Sequence, residues 1–153
     1  VEGIDESAAR IKETGVEVMA DESFSDKDSL SRLIEKKACT AINVRISKCG
    51  GLTASLARCR EAQDAGLGVQ AGCQVGESSL LSSAQIVLLS QLSNVRYAEG
   101  CFGLLLLKED PVRPILQFGY GGRPPKIPQG PGFGVSIDEK IIRRLALRSQ
   151  VVC

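Results

Sequence analysis

The chain has 153 residues, 43% of them hydrophobic, and a formal net charge of +1. That is the length of one domain with enough apolar content to bury a core, and the balanced charge gives no electrostatic case for nucleic acid or a membrane surface. It contains no histidine, which argues against a histidine-based triad or a histidine-ligated zinc site.

No apolar run approaches the length that spans a bilayer, and nothing at the start reads as a signal peptide. Cysteines stand at 39, 49, 59, 73, 101 and 153, none with C-x-x-C spacing and several within apolar segments. They read as reduced core residues of a cytoplasmic protein.

In chain order, residues 5–15 predict a short amphipathic helix that Gly15 ends, and VEVMA at 16–20 a strand. A helix is expected over 28–38, with Asp28 as N-cap and Leu30, Leu33 and Ile34 on one face. The β-branched run at 41–47 predicts a second strand. Gly50-Gly51 then permit a tight turn into a helix over 51–65, which stops at Gly66. A short strand over 68–73, an apolar helix over 78–92 and a strand over 95–101 complete the series. Short strands alternating with helices of this length predict parallel βαβ units, an α/β fold.

The pattern changes after residue 102, where the sequence becomes rich in Gly and Pro and no long helix is expected before one that begins at Asp138. The expected organisation is a partial barrel of about four βα units over 1–102. A C-terminal segment, 103–153, would pack on that barrel or on another domain. The aliphatic runs at 80–92 and 104–107 are expected in the core.

The strand ends carry the candidate chemistry. Asp21-Glu22-Ser23 follow the first strand, Arg45 and Lys48 the second, Gln74 and Glu77 the third, and Glu99 closes the fourth. In parallel α/β architectures the carboxyl ends of strands share one face, where ligands bind. Carboxylates beside cations there suit an oxygen-ligated divalent metal and an anionic intermediate. Simpler roles stand beside these: Asp21 as a turn cap, Glu77 as a charge favoured at a helix start, and Lys48 as a structural or solvated lysine.

The segments VMADES (18–23), INVRISKCGGL (42–52), GCQVGESS (72–79), NVRYAEG (94–100) and GPGFGV (130–135) resemble, in order, the C-terminal half of the enolase superfamily. Its muconate-lactonizing and mandelate-racemase-like branch is the nearest match. The resemblance implies the second half of a (β/α)8 barrel of TIM type, Mg2+ as cofactor of the complete enzyme, and removal of a proton α to a substrate carboxylate. It implies that Asp21 is a metal ligand, that Arg45 stands where the superfamily usually has its acid/base lysine, and that Lys48 is a second lysine of that motif. It also implies that Glu77 neighbours the site and that Glu99 faces substrate. The catalytic set implied is therefore Arg45, Lys48 and Glu77.

Three functions follow. The first is a Mg2+-dependent lyase, such as a dehydratase, or a cycloisomerase. The second is a racemase or epimerase in which Lys48 or a water serves the second face. The third is a truncated, catalytically incomplete half barrel. The expected partners are a small carboxylate substrate and, to cover two open sheet edges, a homo-oligomer or the N-terminal half; neither nucleic acid nor membrane is expected.

Overall fold

The computed structural model describes residue 6 and residues 13–100, 102–117 and 126–150. The helix expected over 5–15 lies largely outside the described residues, as do Cys101 and Cys153.

The chain divides into two compact units: Val1–Gln74 with Ala84–Gly100, and Val75–Ser83 with Cys101–Cys153. Val75–Ser83 groups with Cys101–Cys153 although it lies within the stretch 1–102.

The first unit is a four-stranded parallel sheet of β1 (Met19–Ala20), β2 (Ala41–Val44), β3 (Gly68–Ala71) and β4 (Val95–Ala98), in the spatial order β1-β2-β3-β4. Neighbours in sequence are neighbours in space, with no reversal of order. A doubly wound open sheet has such a reversal; a barrel does not. β2, β3 and β4 stop short of the runs that predict them because the last residues of those runs turn into the loops of the carboxyl face, whereas β1 keeps the expected end and starts later than expected.

Helix α1 (Lys27–Glu35) follows β1, α2 (Leu52–Asp64) follows β2, and α3 (Ser79–Ser90) follows β3. The N-cap of α1 is Asp26, not Asp28. Its carboxylate accepts from the Ser29 backbone N–H at 2.8 Å, and Ser29 Oγ accepts from the Asp26 N–H at 3.0 Å. This reciprocal capping box satisfies two otherwise orphaned donors, which Asp28 in the first turn does not do. Gly50 and Gly51 have φ of 84° and 97°, a region closed to most side chains, so they make the tight entry to α2.

The core of this unit is built from Leu30 and Leu33 of α1, all four residues of β2, Cys59 and Ala62 of α2, and Val69 of β3. Each fully buried Leu or Ile contributes roughly 1.5–3 kcal/mol of transfer free energy. β4 differs: Arg96, Tyr97 and Ala98 are exposed.

The second unit holds α4 (Gly103–Leu106), an antiparallel pair of β5 (Val112–Arg113) with β6 (Ser136–Ile137), and α5 (Glu139–Leu145). Asp138 caps α5 as its position predicts, accepting from the Lys140 and Ile141 N–H groups. The unit is organised by a buried carboxylate. Asp110 accepts from Ser79 N–H at 2.7 Å, from Ser79 Oγ at 2.6 Å and from Val112 N–H at 3.1 Å, and Leu116 N–H donates to Ser79 Oγ. The run at 104–107 is not core: Leu105 is 81% exposed and Leu106 57%. A helix of one turn cannot bury consecutive leucines on all its sides.

Candidate functional site

Asp21, Arg45 and Lys48 come together at the carboxyl ends of β1 and β2. Asp21 is the residue after β1. A turn in which Phe24 N–H donates to Asp21 O at 3.0 Å fixes the backbone behind it. After β2, the N–H groups of Lys48 and Cys49 both donate to Arg45 O, curling the chain so that the two cationic side chains return toward Asp21.

Arg45 Nη2 donates to Asp21 Oδ2 and, at 3.3 Å, to Glu22 Oε1. Lys48 Nζ donates to Asp21 Oδ1 at 2.9 Å, to Asp21 O at 2.7 Å and to Asn43 O at 3.2 Å. An ammonium has three N–H donors, and these three oxygens match them. Nζ also stands 5.5 Å from the centre of the buried Phe24 ring, on a favourable cation–π face. Burial alone would raise the Asp21 pKa. The hydrogen bond and charge of Lys48, the Asn43 amide and the charge of Arg45 outweigh it and hold the carboxyl below its ordinary value. Asp21 is therefore an ionised anchor between two cations.

Glu99 follows β4, and its backbone is fixed from α3. Gln85, 3% exposed, donates through Nε2 to Glu99 O at 2.6 Å, to Ala71 O at 3.0 Å and to Gly72 O at 3.4 Å. No hydrogen bond among the described residues joins the Glu99 carboxylate to the Asp21 cluster. Glu77 belongs to the second unit, where it is buried and accepts from Ser82 Oγ at 3.2 Å.

Sequence reasoning missed Gln85 and Asn43. The signal was there in both cases: a lone amide in the apolar run SSAQIVLL and another inside AINV. A buried polar group in an apolar element needs partners, and those partners mark what it holds.

Three of the described cysteines, Cys39, Cys49 and Cys59, are poor nucleophiles. Cys39, Cys49, Cys59 and Cys73 are buried. Burial pushes the thiols of Cys39 and Cys49 up, and that of Cys59 up to about 12 with help from Cys49.

The Mg2+ implied by the resemblance can be tested against this donor set. Mg2+ needs several oxygen ligands in near-octahedral array. Among the described residues no group of three His, Cys, Asp or Glu side chains lies close enough to hold a metal. Asp21 has both carboxylate oxygens and its carbonyl taken by cationic N–H donors. The residues present do not fit a divalent ion as they stand.

Comparison with known proteins agrees with the fold class. The chain is 32% identical over 132 residues to a muconate cycloisomerase of Pseudomonas putida, covering 86% of this chain and 34% of that protein. It is 26% identical over 149 residues to an N-succinyl-L-Arg/Lys racemase of Bacillus cereus, covering 97% of this chain and 39% of that one. The solved structure of the muconate lactonizing enzyme from Pseudomonas putida matches with a TM-score of 0.78 and 30% identity, over 90% of this chain and 37% of that chain. The chain thus spans little more than a third of the length of these relatives. Its sequential parallel sheet is the C-terminal part of a (β/α)8 barrel of TIM type. A family model described as Enolase C-terminal domain-like matches residues 2–141, and the chain belongs to that family.

Proposed function

We propose that this chain is the C-terminal barrel part of an enzyme that removes the proton α to the carboxylate of a small substrate. The outcome is cycloisomerisation or a β-elimination such as dehydration. Arg45 carries this reading. It stands at the end of β2 where the resemblance expects a lysine, and its guanidinium is held there by Asp21 and Glu22. Arginine keeps its proton at any working pH, so Arg45 accepts none. It can orient a carboxylate or oppose developing negative charge.

A single base acting from the opposite face suffices for elimination or isomerisation of this kind, whereas racemisation normally needs a base on each face. The likeness to the Bacillus cereus racemase favours racemisation or epimerisation as the second reading. That reading asks Lys48 or a water to serve the second face, and Lys48 has its three donors engaged. In the complete enzyme Glu99 would face the substrate and Glu77 would neighbour the site. Mg2+ would be that enzyme's cofactor, with Asp21 as the carboxylate this chain offers; no step proposed here runs through it. The complete enzyme would be cytoplasmic, and pairing with an N-terminal half or with further copies would cover the outer strands. No helix of the described residues is long and apolar enough to cross a membrane.

The test is deuterium incorporation at the substrate α-carbon in deuterated water, by the full-length parent and by its Arg45→Lys variant. The wild type should exchange on one face only, and Arg45→Lys should gain exchange on the second, because a lysine flanked by cations can lose its proton. Comparable exchange on both faces by the wild type would remove the one-base reading.

A further inference from the structure

The first and last strands of the four-stranded sheet are joined by a contact that the hydrogen-bond ladder does not provide. Arg96 of β4 forms an ion pair with Glu17, two residues before β1. β2 and β3 lie between them. Adjacent strands stand about 4.8 Å apart, so three spacings put β1 and β4 about 14 Å apart in a flat sheet. Side chains stand roughly perpendicular to a sheet, and on a flat one these two would not meet. Their meeting requires a sheet that curves, with both side chains on its concave face.

Two further features serve this contact. The first is a bulge in β4. Val69 pairs with Val95 and Gln70 with Tyr97, so Arg96 is an extra residue with no partner on β3. A bulge bends its strand and re-aims the side chain of the inserted residue. The second is Gly68, the first residue of β3. A Cβ there would stand 2.8 Å from Arg96 Nε and 2.9 Å from its Cδ and Cζ, so the arginine crosses β3 over a residue without a side chain. At the far end, the segment before β1 is bound to β2. Thr40 N–H donates to Val18 O at 2.9 Å, and Val18 N–H donates to Thr40 Oγ1 at 2.9 Å. Glu17 therefore stands beside an anchored residue.

We propose that Arg96 is a positioning residue: its ion pair with Glu17 is a chord that sets the curvature of the sheet, and with it the gap across the carboxyl face between Asp21, after β1, and Glu99, after β4. A ladder fixes the spacing of neighbouring strands but tolerates a rotation between them of about −10 to −35°. Three pairings in series add those tolerances, and a tie between the first strand and the last removes the slack. The pair is open to water, with side chains 39% and 34% exposed, so it contributes little to stability. Its effect is on shape. The chord stands on the geometry of the sheet and not on the proposed chemistry. A distance measurement that fails leaves the deuterium experiment untouched, and a failed deuterium experiment leaves the chord untouched.

The experiment is a pulsed electron-spin distance measurement on the full chain, with nitroxide amino acids incorporated at the exposed positions Glu22 and Ala98, so that the native cysteines stay untouched. The otherwise unaltered chain should give one narrow distribution. Arg96→Met and Glu17→Gln should each lengthen the mean distance by about 2–5 Å, up to one strand spacing, and broaden the distribution. Arg96→Lys keeps the charge and most of the reach, so it should stay close to the unaltered chain. Gly68→Ala keeps both charges but displaces the guanidinium, and should broaden the distribution as Arg96→Met does. High salt should broaden the unaltered chain and leave Arg96→Met as it is. Melting temperatures should move little in Arg96→Met and Glu17→Gln, which separates a change of shape from a loss of fold. Should Arg96→Met fail to fold, the isosteric Glu17→Gln and the salt titration of the unaltered chain still decide. A distribution in Glu17→Gln identical to that of the unaltered chain, or an Arg96→Lys distance shifted as far as that of Arg96→Met, would overturn the proposal.

Discussion

At the carboxyl ends of β1 and β2 charge holds the backbone, and at those of β3 and β4 one neutral amide does. Lys48 reaches from the loop after β2 to Asp21 O and Asn43 O, with the Asp21 carboxylate and Arg45 completing a charged cluster that is open to water on one side. Gln85, itself buried, reaches from α3 to Ala71 O, Gly72 O and Glu99 O. The geometric task is the same: neighbouring strand ends must be kept in register after the ladder stops. The difference lies in what disturbs each clamp. Salt and acid weaken a charged, half-buried cluster. A buried amide ignores both and fails only if the side chain is removed. The carboxyl face thus has adjustable charge on one side and a fixed frame on the other.

Gln85→Leu should give the largest effect. The substitution keeps the bulk but removes the amide that reaches three carbonyls, of which Ala71 O has a second partner, the Glu99 N–H at 3.0 Å. The expected loss is about 3 kcal/mol of unfolding free energy, read from urea denaturation, and it should not depend on salt. A loss below about 1 kcal/mol would mean that the neutral clamp is incidental.

Gly72→Ala tests the seam between the two clamps. A Cβ on Gly72 would stand 2.1 Å from Asn43 Oδ1, and Asn43 is buried with that oxygen unpartnered. Overpacking of this kind costs about 2 kcal/mol. Because the obstacle is one side chain, Asn43→Ala should recover much of the loss in the double variant, a non-additivity visible in a double-mutant cycle. Additive losses would show that the backbone, not Asn43, sets the limit.

Asp21→Asn probes the charged clamp. It leaves Arg45 and Lys48 with side chains 19% and 14% exposed and no carboxylate between them, at an expected cost of about 1–2 kcal/mol near neutral pH. The folded pKa of Asp21 lies below its ordinary value of 3.8. Its contribution is therefore fully present above that value and disappears as pH falls through the lower folded pKa. Wild type and Asp21→Asn should converge in stability below the ordinary carboxylate range, and high salt should narrow their gap at neutral pH. Two curves that stay parallel down to the acid limit would contradict the charged reading.

How far the sequence shows these clamps depends on which residues make them. The alternation of short β-branched runs with helical segments was enough for the parallel order, because each buried strand must be apolar on both faces. Asp21, Arg45 and Lys48 were legible as strand-end charges. What no spacing could show is that Lys48 turns back onto backbone carbonyls, since that depends on the curl made by the two amides bonded to Arg45 O. The leucines at 104–107 misled for the opposite reason: apolar character signals burial only where an element has a face to bury, and α4 is a single turn. The Asp28 cap failed on a local competition that Ser29 decides in favour of Asp26.

Glu22→Gln should have the smallest effect, and it sharpens the comparison most finely. Glu22 is the outermost member of the charged clamp, 80% exposed, and it meets Arg45 through a single 3.3 Å contact. An exposed ion pair of that geometry contributes under about 0.5 kcal/mol, and screening by salt reduces it further. If Arg45 is held by Asp21, removing the Glu22 charge leaves the guanidinium in place, and thermal stability should change by no more than measurement error at physiological salt. If Arg45 is instead shared evenly between the two carboxylates, Glu22→Gln should lower stability by a substantial fraction of the Asp21→Asn effect and show the same salt dependence. The ratio of the two losses, measured under one set of conditions, therefore says which carboxylate holds the guanidinium. A ratio near one would move the centre of the charged clamp outward, from the strand end to the loop that follows it.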